Sequence, residues 1–255
     1  MLANATGKQS VYGSGAPMKH LDLFSGIGGF ALAARWVGWE TVGFCEIDPY
    51  CQKVLRKHWP DVPIYEDIKA FNGQDCDIIT AGFPCQPYSV AGKQRGDSDH
   101  RALWREVIRI VENTKPTWVL CENVASFIKI GLDQMSLYLE SRGYSVESLC
   151  IPACAVNTPH RRERLWILAH TERGKQPRKE PRSRKAGRMG REQQSVAWDR
   201  DWESALTEFR GMDDGLSGRV VTNRTDGLRN AIVPQIAEII FRAIDESRCN
   251  KLNST

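Results

Sequence analysis

The stretch Lys19-His-Leu-Asp-Leu-Phe-Ser-Gly-Ile-Gly-Gly-Phe30 decides how the rest of the chain is read. Its first half is a short apolar run of strand length, and Gly26, Gly28 and Gly29 then fall where that strand turns into a helix beginning near Phe30. Glycines clustered at such a turn let the backbone pass close to a ligand. Their spacing is not the Gly-x-Gly-x-x-Gly of dinucleotide-binding turns. Outward from this point short apolar runs keep alternating with helical patterns. Thr41 to Glu46 reads as a strand and Tyr50 to Leu55 as part of a helix. Cys76 to Gly82 is a strand, and Leu103 to Glu112 a helix on which Leu103, Val107 and Val111 recur every four residues. Trp118 to Glu122, a helix around Leu132 to Leu139, and a strand from Arg164 to Ala169 complete the series. This alternation predicts an α/β fold with a doubly wound, mostly parallel sheet, which takes its ligands at the carboxyl ends of its strands. Functional residues are therefore expected just after strands.

The 255 residues are 41% hydrophobic and 26% charged, which places the chain among globular proteins and excludes the disordered and collagen-like classes. Eight cysteines form no Cys-x-x-Cys pair, so zinc-ribbon and thioredoxin-type sites have no support and no metal site is expected. Residues 1–18 are polar and Gly/Ser-rich, read as a flexible tail without signal-peptide character. No run reaches the roughly 20 apolar residues of a membrane span, and a reducing cytoplasm is the expected setting. The net charge of +4 is unevenly placed. Between Arg173 and Arg191 stand nine Lys/Arg and one acid, Glu180, so this segment carries +8 and the remainder −4. A segment bearing Trp198, Trp202 and Phe209 follows, and an apolar helix from Pro234 to about Ile244 comes last.

Three strand ends carry side chains with chemistry. Glu46 closes the second strand, where acids hold ribose hydroxyls in nucleoside-binding sheets; Asp67 is a further candidate acid. The strand at Cys76 runs into Gly82-Phe-Pro-Cys-Gln-Pro-Tyr-Ser89, which sets Cys85 between two prolines. Prolines rigidify the loop, and rigidity suits a positioned thiol nucleophile. The other seven cysteines are read as inert core residues. The next strand ends in Glu122 and Asn123, both expected to project into the same crevice, with a buried Glu122 poised to give a proton or hydrogen bond.

These ordered segments resemble the DNA (cytosine-5) methyltransferase family, in its compact bacterial or phage type. The resemblance covers residues 19–170 and the final helix. It implies a Rossmann-like adenosylmethionine-dependent methyltransferase fold with a small inserted target-recognition region. The implied parts are a catalytic domain at 19–170, a basic target-recognition region at 171–226 and a helix at 227–250 that returns to the catalytic domain. Carried onto this sequence, Phe24, Gly26, Gly28, Gly29, Glu46, Ile47, Asp67, Ile68 and Asn230 would hold S-adenosyl-L-methionine. Cys85 would be the nucleophile, with Glu122, Arg162 and Arg164 as its catalytic partners. Gln86, Ser89, Gly92, Gly96 and Arg101 would belong to a mobile catalytic loop, with Asp99 also matching it. Within the basic segment Arg178, Arg182, Arg184 and Arg188 are candidates for phosphate contact on DNA. The implied partner is double-stranded DNA, with a flipped-out cytosine as substrate; a cognate restriction endonuclease is a candidate second partner, and a monomer is expected. Two positions depart from the family pattern. His160 stands where Gln is usual, and Arg229 where Gly precedes the final Asn, a substitution that puts the strength of the activity in question. RNA methylation, a non-catalytic nucleic-acid-binding relic and a nicotinamide oxidoreductase are the competing readings. The glycine spacing speaks against the last, and intact Cys85, Glu122 and Arg164 against the second.

Overall fold

A computed structural model describes residues 17–84, 103–156, 162–171 and 231–252. The opening stretch folds as read: β1 (Lys19–Leu23) leads through the glycine turn into α1 (Gly29–Val37). There follow β2 (Glu40–Cys45), α2 (Pro49–His58), β3 (Ile64–Tyr65), β4 (Ile78–Ala81), α3 (Trp104–Thr114), β5 (Trp118–Val124), α4 (Phe127–Ile130), α5 (Leu132–Ser141), β6 (Ser145–Pro152), β7 (Glu163–His170) and α6 (Pro234–Leu252). The strands of the described residues form one sheet in the order β3-β2-β1-β4-β5-β7-β6. Strands β1 to β5 pair in parallel, whereas β7 runs antiparallel to both β5 and β6. The chain leaves β1 towards β2 on one side and returns to β4 on the other. The carboxyl ends of β1 and β4 therefore flank a topological switch point, where doubly wound sheets open a crevice.

Alternation along the strands sends side chains to two different cores. Val119, Cys121, Leu165 and Ile167 pack towards α3 and α5, with Val107, Val111, Met135 and Leu139 facing them. Ile78, Leu120 and Trp166 face the other way, against Phe30 of α1 and Ile236, Ala237 and Phe241 of α6. Burying a side chain such as Phe241 contributes roughly 1.5–3 kcal/mol, so both helix layers are needed to hold the sheet. Trp39 Nε1 adds a 2.9 Å hydrogen bond to Asp245 Oδ2, pinning α6 to the turn after α1.

Two features differ from the sequence expectation. Strand β6 is absent from the alternating series because only Val146 of its eight residues is buried, so no apolar run marks it. The tail boundary also shifts: Met18 is 1% exposed within the α1–α6 core, and its carbonyl accepts the Glu40 amide at 2.9 Å.

Candidate active site

Two loops from neighbouring strands meet at the carboxyl edge of β1 and β2. Phe24 leaves β1 with φ +55°, a left-handed conformation unusual for a residue with a side chain, and Gly26 repeats it at +55°. Gly26 donates its amide to Glu46 Oε2 at 2.7 Å, and Asp48 donates its own to Glu46 Oε1 at 2.8 Å. Gln52 Nε2 donates to the Glu46 carbonyl at 2.7 Å. Asp48 then caps α2 by accepting from the amides of Tyr50 and Cys51, which fixes where the loop ends. Each oxygen of the Glu46 carboxylate keeps a second lone pair that can accept a hydroxyl. Burial raises the Glu46 pKa above the ordinary carboxylate value, and the Asp48 and Gly26 amides oppose that rise. The residue after it, Ile47, is 74% exposed, an apolar surface beside a carboxylate.

The three glycines of the turn serve different ends. A Cβ at Gly26 would meet nothing within 4 Å, so this position alone opens outward. At Gly28, with φ +92°, a Cβ would lie 2.8 Å from the Trp59 ring. At Gly29 it would lie 2.7 Å from Ile232. The last two glycines are thus explained by packing within the protein, against α2 and the segment before α6. Asp67 is exposed and its Oδ1 accepts the Lys69 amide at 2.9 Å, while Ile68 is buried.

A second group gathers at the end of β5. Glu122 is 7% exposed, and Arg164 Nε lies 2.9 Å from its Oε1, a charge pair in which the N–H is not aligned as a hydrogen bond. Burial raises the Glu122 pKa, and the nearby Arg164 and Arg162 charges pull it back. Arg162 donates from Nη2 to the Ala231 carbonyl at 2.8 Å, linking this group to the segment before α6. Burial first, and then Arg164, lowers the Arg162 pKa. Both arginines reach Glu122 because β7 is antiparallel. Trp166 pairs with Glu122 and Arg164 with Val124, so the start of β7 lies at the same edge as the end of β5.

Asn123 does not share the Glu122 crevice. Adjacent strand residues point to opposite faces, and Asn123 Nδ2 donates to the Phe83 carbonyl at 3.0 Å while its Oδ1 accepts the Val124 amide. It therefore fastens the chain two residues before Cys85. Cys85 itself, Gln86, Ser89, Gly92, Gly96, Asp99, Arg101, His160, Arg178, Arg182, Arg184, Arg188, Arg229 and Asn230 lie outside the described residues.

The core reading of the other cysteines holds for four of the six described; Cys150, on the edge strand β6, is half-buried, and Cys154, in the turn after it, is exposed. Cys45, Cys51, Cys76 and Cys121 are free and buried, and burial pushes the Cys45 thiol up to about 12 and raises those of Cys51 and Cys121. Among the described residues no His/Cys/Asp/Glu cluster could hold a metal ion, and no helix is long and apolar enough to cross a membrane.

A doubly wound sheet carrying a glycine turn, a strand-end acid and an exposed apolar neighbour belongs to the class that opens its ligand crevice at the carboxyl edge. Within that class the chain belongs to the C-5 cytosine-specific DNA methylase family, whose model matches residues 18–232. It is 36% identical over 162 residues to the type II methyltransferase M2.BsuMI of Bacillus subtilis (strain 168), covering 60% of this chain and 42% of that one. It is 35% identical over 159 residues to the type II methyltransferase M.HhaI of Haemophilus parahaemolyticus, covering 59% and 48%. The chain thus spans less than half the length of these curated relatives. Among solved structures, S. pombe Dnmt2 methyltransferase superposes with a TM-score of 0.53 at 22% identity, over 60% of this chain and 51% of that one. A Spodoptera frugiperda DNMT2 mutant gives 0.52 at 23% identity over 72% and 61%. These two likenesses concern the fold.

Proposed function

We propose that this chain transfers a methyl group from S-adenosyl-L-methionine to C5 of a flipped-out cytosine in duplex DNA, with Cys85 as the nucleophile. The observation that carries this reading is the buried Glu122, paired with Arg164, on the strand whose next residue tethers the segment leading into Cys85. The nucleoside end of the cofactor fits the residues present. Glu46 offers free lone pairs to a ribose diol, Ile47 an apolar face to adenine, and Gly26 an open backbone. Phe24, Gly28, Gly29, Asp67, Ile68 and Asn230 complete the proposed cofactor set.

Cytosine C5 is a poor nucleophile until something adds at C6. The Cys85 thiolate forms that bond, the C5–C6 π pair shifts to C4–C5, and the C4–N3 π pair moves onto N3, which takes the Glu122 proton. Burial favours the protonated form of the Glu122 carboxyl, the form that gives a proton, and Arg162 and Arg164 supply positive charge beside it. Bound adenosylmethionine would supply an electrophilic methyl carbon on a sulfonium; as the C4–C5 pair of the base bonds to that carbon, the carbon–sulfur pair would stay on the departing thioether. A base then removes the C5 proton; that electron pair restores the C5–C6 double bond, the Cys85 sulfur leaves and N3 returns its proton to Glu122. The target atom is inaccessible in a stacked duplex, so the base leaves the helix at a cost of a few kcal/mol. Arg178, Arg182, Arg184 and Arg188 are proposed to contact phosphates. A cytoplasmic setting, a monomer and a partner restriction endonuclease complete the reading.

Cys85→Ser is expected to abolish tritium transfer from labelled adenosylmethionine to duplex DNA while DNA binding stays measurable. Retained turnover in that variant would remove the covalent step. Transfer to tRNA in place of DNA would replace the substrate, and bisulfite sequencing of plasmid from expressing cells would read the target.

A further inference from the structure

Arg109, in the middle of α3, has no place in the chemistry above, yet its guanidinium is engaged on every side. Its Nη2 donates to two carbonyls of one turn, Ile68 at 2.6 Å and Phe71 at 2.8 Å. Its Nη1 donates to Asn72 Oδ1 at 3.2 Å, and Asn113 Nδ2 on the same helix donates to the Asn72 carbonyl at 3.3 Å. Glu106, one turn earlier, accepts from Nε at 2.7 Å and so aims the group. The turn that Arg109 grips starts at Asp67, whose carbonyl accepts the amides of Ala70 and Phe71 at 3.1 and 3.0 Å. It is a single helical turn with nothing after it to use its last carbonyls, and a guanidinium supplies the missing donors. Ile68 and Phe71 are buried against α3, but Asp67 at the head of the turn is exposed. The position of Asp67 relative to Glu46 therefore rests on a grip applied from behind.

We propose that Arg109 is a positioning residue for the base end of the cofactor site. Resting on the adenosylmethionine reading above, it holds the 67–72 turn in the one arrangement that sets Asp67 and Ile68 against the adenine. It does not touch the ligand. Removing it lowers the fraction of molecules in which the turn is set, and the apparent Kd rises by the inverse of that fraction.

Calorimetry with S-adenosylhomocysteine, together with amide hydrogen exchange of the ligand-free protein, tests the assignment. In Arg109→Ala the Kd is expected to rise about tenfold, the scale of losing one hydrogen bond from a charged donor. The amides of Ala70 and Phe71 are expected to exchange faster, while those of β1 and β4 keep their protection. Arg109→Lys, which can still donate to the two carbonyls, is expected to recover part of the affinity. In turnover the loss is expected in KM for the cofactor and to be overcome at high cofactor concentration. Wild-type affinity in Arg109→Ala, or unchanged exchange at Ala70 and Phe71, would overturn the role of Arg109 alone. A wild-type protein that binds no S-adenosylhomocysteine would overturn the cofactor reading and this role with it.

Discussion

His20 lies fully buried on β1, its ring 6.1 Å from that of Phe241, and both ring nitrogens are occupied. Thr80 donates to Asp22 Oδ1 at 2.7 Å, so its oxygen accepts from His20 Nε2, also at 2.7 Å; Nδ1 is then left to accept from Thr41 at 3.0 Å. A neutral imidazole with the proton on Nε2 is the form this hydrogen-bonded series needs. Burial lowers the His20 pKa to about 3 from its ordinary 6.5. Between those values the unfolded chain binds a proton that the folded one refuses, so the stability from His20 is complete above pH 6.5 and drains away as pH falls towards 3. Burial acts on Asp22 in the opposite direction, raising its pKa, and its contribution grows as pH falls. The two effects separate in a comparison with His20→Gln. Urea unfolding at pH 7 and pH 5 should show the wild-type advantage over the variant shrinking by about 2 kcal/mol, from 1.4 kcal/mol per pH unit below the ordinary histidine pKa. Parallel pH curves for the two proteins would refute this account. The residue scale was also where the sequence was least legible. Glu46, Glu122 and the glycines announce themselves by standing at strand ends, but His20 and Arg109 sit inside elements where nothing local distinguishes them. Only the partners brought by β2, β4 and the 67–72 turn give them roles.

The turn between β1 and α1 separates two reasons for glycine. Gly28→Ala must take φ +92° and push a methyl into the Trp59 ring, so it is expected to cost about 2–4 kcal/mol in urea unfolding. Gly26→Ala meets no neighbour and should cost only about 1 kcal/mol for its left-handed backbone, while weakening cofactor binding. Equal losses of stability in the two variants would mean that packing does not distinguish them. Most elements could be read beforehand, because β1, β2, β4 and β5 are short runs with an apolar majority or apolar ends, bounded by turns. The direction of β7 could not. A series of alternating strands and helices implies parallel neighbours, and a parallel strand would carry Arg162 and Arg164 to the wrong edge of the sheet. The connection 153–162 is shorter than the dozen or more residues a parallel crossover takes. That signal was hidden because β6, almost without buried residues, was not visible as a strand.

Over the whole molecule, charge is partitioned between a slightly acidic body and the +8 segment between Arg173 and Arg191. The acidic body is consistent with a site built around Glu46 and Glu122, whose carboxyls are held by amides and arginines. If the basic segment binds phosphates, deleting 173–191 should flatten the dependence of DNA affinity on salt by roughly one unit of logarithmic slope for each phosphate it neutralises. An unchanged slope would leave the segment as a solvated loop. The order of motifs along the chain made the family legible. What sequence order does not reveal is how distant parts close on one another, such as Ile232 filling the space beside Gly29 and Asp245 reaching Trp39.

That closure has a genetic consequence. The wall behind the glycine turn is supplied by Ile232, and the cover over Phe30 and His20 by Phe241, both encoded far downstream of the turn they complete. A stop codon or frameshift anywhere between the codons for Thr171 and Pro234 would leave every described strand encoded in the translated product, yet expose the Phe30 and Trp166 surface that α6 covers. Such an allele would be expected to make an aggregating or rapidly degraded polypeptide in place of a slower enzyme.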